Sequence, residues 1–243
     1  MSRYLGLMRS LVIYHNPVTL FGWRRFYREL IAPGDVVFDI GAHVGTRARA
    51  MRAAGAKVVA LEPQDIFARY LRATLPKDIT LLQAAAGGAE AVAEMAVSSR
   101  HPTVSSLKTS FVTDAPEKPG FEHVRWDQRQ KVKMVTLDSL IAQHGLPAYI
   151  KIDVEGFELD VLAGLSQPVR MVSVEYLPGF IDLTHAVIDR LDTLGAYEFN
   201  PVKGERGGFL WTDWRDSGEM RRWLDDLPPD APSGDLFARQ VRT

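Results

Sequence analysis

Two apolar periods alternate along the chain. Short apolar runs at 36–39, 57–62, 79–83, 148–153, 171–176, 197–202 and 208–212 are rich enough in β-branched and aromatic residues to read as strands. Between them, apolar positions recur every three or four residues and predict helices over 46–54, 65–75, 137–144, 158–165 and 183–194. In the last of these, Leu183, Val187, Leu191 and Leu194 share one face. Regular strand–helix alternation predicts a parallel sheet covered by helices on both sides. Only residues 203–207 separate the last two predicted strands, too few for a parallel crossover, so that pair is expected to be antiparallel. The expected fold class is α/β, with seven mostly parallel strands and the last one reversed.

The pattern divides the chain into a central domain at 33–212, a helical cap or interface segment at 1–32, and a C-terminal helix and tail at 213–243. Alternation breaks within 84–136, where 91–97 and 130–135 read as strands and the remainder as an irregular insertion, long enough to be functional. In the C-terminal segment Met220, Trp223, Leu224 and Leu227 fall at helical spacing, Ser217 is the expected N-cap, and Pro228-Pro229 ends the helix. Residues 1–29 carry five arginines (Arg3, Arg9, Arg24, Arg25, Arg28) against one acid, interleaved with apolar residues. This segment is expected to pack on the sheet or on a twin subunit in a homodimer, with an interfacial membrane role as the less favoured reading.

At 243 residues and 46% hydrophobic content the chain can bury a substantial core. A formal net charge of -1 provides no overall field for anionic polymers, so nucleic acid is not an expected partner. The absence of cysteine removes disulfides, thiolate nucleophiles and sulfur-ligated zinc, and is compatible with the cytoplasm. The histidines lack metal-ligand spacing, and no metal is expected, although Asp153, Glu155 and Glu175 supply carboxylates.

Candidate chemistry begins where the first strand ends in Asp39 and runs into Gly41-Ala42-His43-Val44-Gly45-Thr46 at the start of a helix. Such a turn offers close backbone approach and free helix N–H groups to a nucleoside-bearing ligand. A dinucleotide fingerprint needs G-x-G-x-x-G; this turn has G-x-x-x-G beside an acid, which suits the sulfonium and ammonium of S-adenosylmethionine better than a pyrophosphate. Twenty-three residues after Asp39, Glu62 ends the second strand before Pro63, where a carboxylate can accept from ribose hydroxyls. Because ligands of open parallel sheets sit beyond the carboxyl ends of the strands, Gln83, Ala84, Ala85, Asp153 and Glu175 belong to the same rim.

The third signature is Thr136-Leu-Asp138-Ser-Leu140 followed by Lys151-Ile-Asp153-Val-Glu155-Gly156-Phe-Glu158. With the glycine turn, these segments resemble the FkbM family of S-adenosylmethionine-dependent methyltransferases, from about Gly34 to about Asn200. The resemblance implies a Rossmann-like class I methyltransferase fold and methyl transfer to a hydroxyl of a sugar, glycan or secondary metabolite. Two positions depart from the family pattern: His43 stands where asparagine is usual, and Gln83 where asparagine or aspartate is usual. The Ser105-Ser106 pair before a leucine is frequent in the family and is expected to touch the acceptor, along with Glu155 and Glu175.

The cofactor set expected is therefore Asp39, Gly41, Ala42, His43, Gly45, Thr46, Glu62, Pro63, Gln83, Ala84, Ala85 and Asp153. Asp153 leads the catalytic candidates as base or orienter of the acceptor, followed by His43 and Glu155. Lys151, inside a buried strand, needs a partner, for which Glu175 is expected, and Glu158 suits a turn-stabilising role. N-methyl transfer, a catalytically silent nucleoside-binding module and an NAD-dependent dehydrogenase are the competing readings, the last disfavoured by the missing glycine.

Overall fold

The computed structural model describes residues 2–14, 17–118, 121–205 and 207–241; in the first two helices side chains are described for 6–12 and 19–30, so that of Arg3 falls outside. Helices α1 (Ser2–Tyr14) and α2 (Pro17–Leu30) precede β1 (Val36–Ile40), α3 (Thr46–Ala53), β2 (Lys57–Leu61), α4 (Asp65–Thr74) and β3 (Thr80–Leu82). Then come β4 (Ala85–Ala86), β5 (Ala91–Val97), the short α5 (Thr109–Asp114), β6 (Gln128–Val135), α6 (Leu137–His144) and β7 (Tyr149–Ile152). The chain finishes with α7 (Glu158–Ala163), β8 (Met171–Tyr176), α8 (Ile181–Leu194), β9 (Tyr197–Lys203), α9 (Ser217–Asp225) and β10 (Gly234–Gln240).

Seven strands form the main sheet in the order β3-β2-β1-β7-β8-β10-β9. The pairs β3-β2, β2-β1, β1-β7 and β7-β8 are parallel, and β10 runs antiparallel to both β8 and β9. Its central strands are β-branched runs buried on both faces, as a sheet covered by two helical layers requires. One layer, α6 to α9, packs Leu140, Leu162, Ile188 and Leu224 on the sheet; the other places Trp23, Tyr27 and Met51 of α2 and α3 on the opposite face. The Thr136-Leu-Asp-Ser motif is a capping box: Thr136 Oγ1 accepts from Ser139 N at 3.0 Å and Ser139 Oγ from Thr136 N at 3.2 Å.

The expected topology is present, but the reversed strand is not 208–212. That segment is irregular, and its backbone is satisfied locally: Leu210 N donates to Pro201 O, while Asn200 exchanges two bonds with Trp211 N and O. The reversed strand is β10, from the expected tail, which inserts between β8 and β9. The β9 and β10 strands are therefore joined through α9 rather than by a short turn. The N-cap of α9 is Asp216, whose carboxylate accepts from Glu219 N at 2.8 Å, rather than Ser217.

The insertion is more ordered than the sequence suggests, forming a three-stranded sheet in the order β4-β6-β5. Its β5–β6 pairing is antiparallel and holds the intervening Pro102–Val104 turn and α5 over the end of the main sheet. The N-terminal segment packs on the sheet through α2: Trp23 and Tyr27 are fully buried, and Tyr149 stacks on Phe237 beneath them. Arg24, Arg25 and Arg28 form its exposed face. Among the described residues no helix is long and apolar enough to cross a membrane.

Candidate functional site

At the carboxyl ends of β1, β2, β7 and β8 lies an open cleft with a cavity volume of about 130 Å³. Ala42, His43, Thr46, Glu62, Pro63, Ala84, Ala85, Ser105, Asp153, Glu155 and Glu175 line it, as does the backbone of Gly41. Thus most of the residues expected from sequence converge on one cavity. Asp39, Gly45, Gln83 and Ser106 do not line it.

Each exception has a physical reason. Asp39 is fully buried beneath the turn, its Oδ1 3.8 Å from Lys151 Nζ. Burial raises its pKa to about 6, although Lys151 and Arg47 pull it down. Gly45 faces the protein: a Cβ there would come within 2.7 Å of Arg49 Nη1 and 2.8 Å of Leu71 Cδ2. The Gln83 amide donates to Asp65 Oδ1 at 2.6 Å and accepts from Arg72, on the outside of α4. Ser106 is 1% exposed and bonds to the Glu155 backbone.

The role expected of Gly41 also changes. Its φ is +83°, and a Cβ would stand 1.9 Å from Asp153 O, so this glycine is needed where the turn passes the end of β7, not for room around a ligand. His43 adopts φ 51°, a left-handed conformation that asparagine and histidine tolerate better than most residues. Its ring meets Phe67 edge-on at 4.3 Å.

Glu62 ties the loops after β1 and β2 together. Its Oε2 accepts from His43 N and its Oε1 from Gln64 N, both at 2.8 Å. Burial pushes its pKa to about 8 even though both amides favour the charged form.

Across the cleft, β7 and the turn after it present the acids. Lys151 Nζ donates to Asp153 Oδ2 at 2.9 Å, so its partners are Asp153 and Asp39 rather than Glu175. Register explains the difference: Lys151 lies beside Ser173 on β8, and Glu175 two residues further on lies beside Asp235. Burial would raise the Asp153 carboxyl, but the charge and hydrogen bond of Lys151, aided by Arg47 and His43, hold it below its ordinary value. Burial and then Asp153 and Glu158 push Glu155 well above its ordinary value, and burial with Glu155 and Asp153 does the same to Glu175. Single oxygens from Asp153, Glu155 and Glu175 lie within 4.8 Å of one another, a spacing able to hold a cation, although Lys151 already delivers positive charge there. Glu158 stabilises the turn as expected, accepting from Val154 N and Gly156 N.

Arg47 and Glu205 also line the cleft and were not singled out in the sequence. Arg47 Nη2 donates to Asp235 at 2.9 Å and Glu205 at 3.1 Å, and its guanidinium carbon lies 3.0 Å from the centre of the Trp23 ring. A cation at the unfavourable end of the helix dipole was the available signal for such partners; Glu205, on the loop after β9, carried none.

A solved TehB-like S-adenosylmethionine-dependent methyltransferase from Corynebacterium glutamicum is 11% identical over 98% of this chain and 96% of its own, with TM-score 0.49. A precorrin-6y C5,15-methyltransferase from Geobacter metallireducens is 14% identical over 90% of this chain and 86% of its own, with TM-score 0.45. These likenesses are too distant to carry an argument about function. No curated protein matches the chain in sequence. The methyltransferase FkbM domain, by contrast, matches residues 39–227, spanning the glycine turn, the capping box and the acidic turn after β7. The cleft can take the cofactor of that family: the 41–46 backbone turn and Glu62 line it at the ends of β1 and β2, and Asp153 presents a charged carboxylate able to meet a sulfonium or an ammonium. The chain belongs to the FkbM methyltransferase family, and its cofactor is S-adenosylmethionine.

Proposed function

We propose that this protein is a cytoplasmic O-methyltransferase acting on a hydroxyl of a sugar, glycan or secondary metabolite. The observation that carries this reading is the division of labour among the acids: Asp153 is held charged by Lys151 at 2.9 Å, while Glu155 and Glu175 beside it are pushed toward the neutral form. S-adenosylmethionine supplies the electrophilic methyl carbon, so the protein has to position the acceptor and take one proton. Asp153, held below its ordinary value, is a weak base but a good acceptor of the substrate's O–H, which it orients. Glu155, with its raised affinity for a proton, suits the base in its ionised form, which gives the rate an acid limb.

On the cofactor side, Glu62 would accept from the ribose hydroxyls, Ala84 and Ala85 would border the base, and the 41–46 turn would face the methionine portion. The affinity for S-adenosylhomocysteine should then depend on pH. Hydroxyl donors favour ionised Glu62, so binding expels the proton that the free group holds below about pH 8. Affinity should rise by up to about tenfold per unit between pH 6 and 8 and level off above. Calorimetry in buffers of different ionisation enthalpy measures the proton release; a flat affinity with no released proton removes Glu62 from the ribose site.

The acid cluster also suits an ammonium, which favours N-methyl transfer as the second reading. Mass spectrometry of a panel of free sugars, glycosides, hydroxylated metabolites and their amino analogues, incubated with enzyme and cofactor, separates the two. A methyl gain on hydroxyl-only acceptors supports the first reading, and gain confined to amino compounds overturns it.

A further inference from the structure

Ser106 is expected from sequence to touch the acceptor, yet its side chain points elsewhere. Its Oγ donates to the backbone carbonyl of Glu155 at 2.6 Å and accepts from Lys108 N at 3.0 Å. The serine itself is pinned to the insertion sheet, exchanging backbone bonds with Ala96 at 2.9 and 3.0 Å. Glu155, at the other end, has φ 56°, a conformation that a glutamate adopts only when its surroundings impose it. Two further contacts join the same pair of segments: Lys108 Nζ to Asp160 at 2.6 Å, and Phe111 against Gly156, where a Cβ would lie 2.5 Å from the ring.

We propose that Ser106 is a positioning residue for methyl transfer, a latch by which the insertion holds Glu155 in its left-handed turn with its carboxylate beside Asp153 and Glu175. This rests on the assignment of Glu155 as the proton acceptor. The hydroxyl fixes the carbonyl on one side of Cα, and the side chain on the other side has to rise toward the two neighbouring acids. Without the latch the peptide is free to relax toward a commoner conformation, and the carboxylate drifts from its place over the acceptor.

The groups facing Glu155 make this drift measurable. Asp153 and Glu158 flank it on its own segment, Glu175 faces it from β8, Lys151 from β7, and the Lys108–Asp160 pair lies on the insertion side. Burial and the neighbouring acids raise its affinity for a proton, so moving away lowers it again.

The test is Ser106→Ala, which removes one oxygen, followed by carboxyl carbon NMR titration of protein carrying labelled glutamate. The Glu155 titration should move down by at least about one pH unit. The acid limb of kcat/KM should move with it, and the plateau kcat should fall about ten- to a hundredfold at unchanged S-adenosylhomocysteine affinity. Ser106→Thr, which keeps the hydroxyl, should restore the wild-type titration, and Ser106→Ala added to Glu155→Gln should change the rate no further. An unmoved Glu155 titration in folded Ser106→Ala, or an additive effect on the Glu155→Gln background, overturns the proposal. The titration needs no acceptor, so it judges the latch even where the search for a methyl acceptor fails.

Discussion

Asp153→Asn is expected to lower turnover by about 10²-fold or more while S-adenosylhomocysteine affinity changes by no more than a few-fold. The substitution keeps the shape and removes the charge that Lys151 stabilises at 2.9 Å. Two effects then add at the acceptor. The O–H loses its charged hydrogen-bond partner, and Glu155 loses the neighbouring charge that raised its affinity for a proton. The acid limb of the rate profile should therefore move to lower pH, as Glu155 ionises more easily, while the plateau drops. Lys151, with only 4% of its side chain exposed, keeps Asp39 at 3.8 Å as its remaining carboxylate, so some stability will be lost. Assays belong well below the melting midpoint, which circular dichroism locates. Turnover within a few-fold of wild type would sink the catalytic role, and loss of cofactor affinity in step with rate would move Asp153 to the cofactor shell.

Gly41→Ala is expected to cost more stability than a methyl added at Gly34, Gly145 or Gly204, where an added Cβ meets nothing. Its Cβ would fall 1.9 Å from the Asp153 carbonyl oxygen, on backbone at the centre of the sheet that has no slack. Gly145→Ala is the matched control: φ is +92° there, close to the +83° of Gly41, yet nothing lies within 4 Å of its added Cβ. Both variants place alanine at a positive φ, at a strain of about 1–3 kcal/mol, and only Gly41→Ala adds the collision. Urea denaturation should show a loss of about 1–3 kcal/mol for Gly145→Ala and more than about 4 kcal/mol for Gly41→Ala, enough to unfold a marginal domain. Equal losses would mean that the turn can move away from β7, and that the glycine serves conformation alone.

The same glycine shows how far sequence reading reaches. Gly41 and Gly45 announce a left-handed turn between strand and helix, because that need is written in the local backbone. The object a side chain would strike is a neighbour from elsewhere in the chain: a carbonyl of residue 153 for Gly41, and a helix-α4 leucine for Gly45. Lys151 is similar. Its burial in an apolar strand demanded a carboxylate, but the identity of that carboxylate followed from the register of β7 against β1 and β8. The serine pair was visible too, and its two members part company: Ser105 lines the cleft while Ser106 latches a turn.

What the sequence determined by itself is what depends on near neighbours along the chain. The alternation of strand and helix periods, the G-x-x-x-G turn after Asp39, the Thr136-Leu-Asp138-Ser-Leu140 segment and the order of the three motifs established the α/β class and the family, since each is a property of a few consecutive residues. The tertiary structure decided what depends on distant partners. Residues 208–212 have the apolar content of a strand, but Asn200 and Pro201 satisfy their backbone locally, and the gap between β8 and β9 is filled by 234–240, whose polar-looking stretch is buried on both sides. Arg47 finds Asp235 across 188 residues. No local period encodes such pairings: they form because a buried donor or strand edge has to be satisfied, and only the closed fold shows which group is within reach.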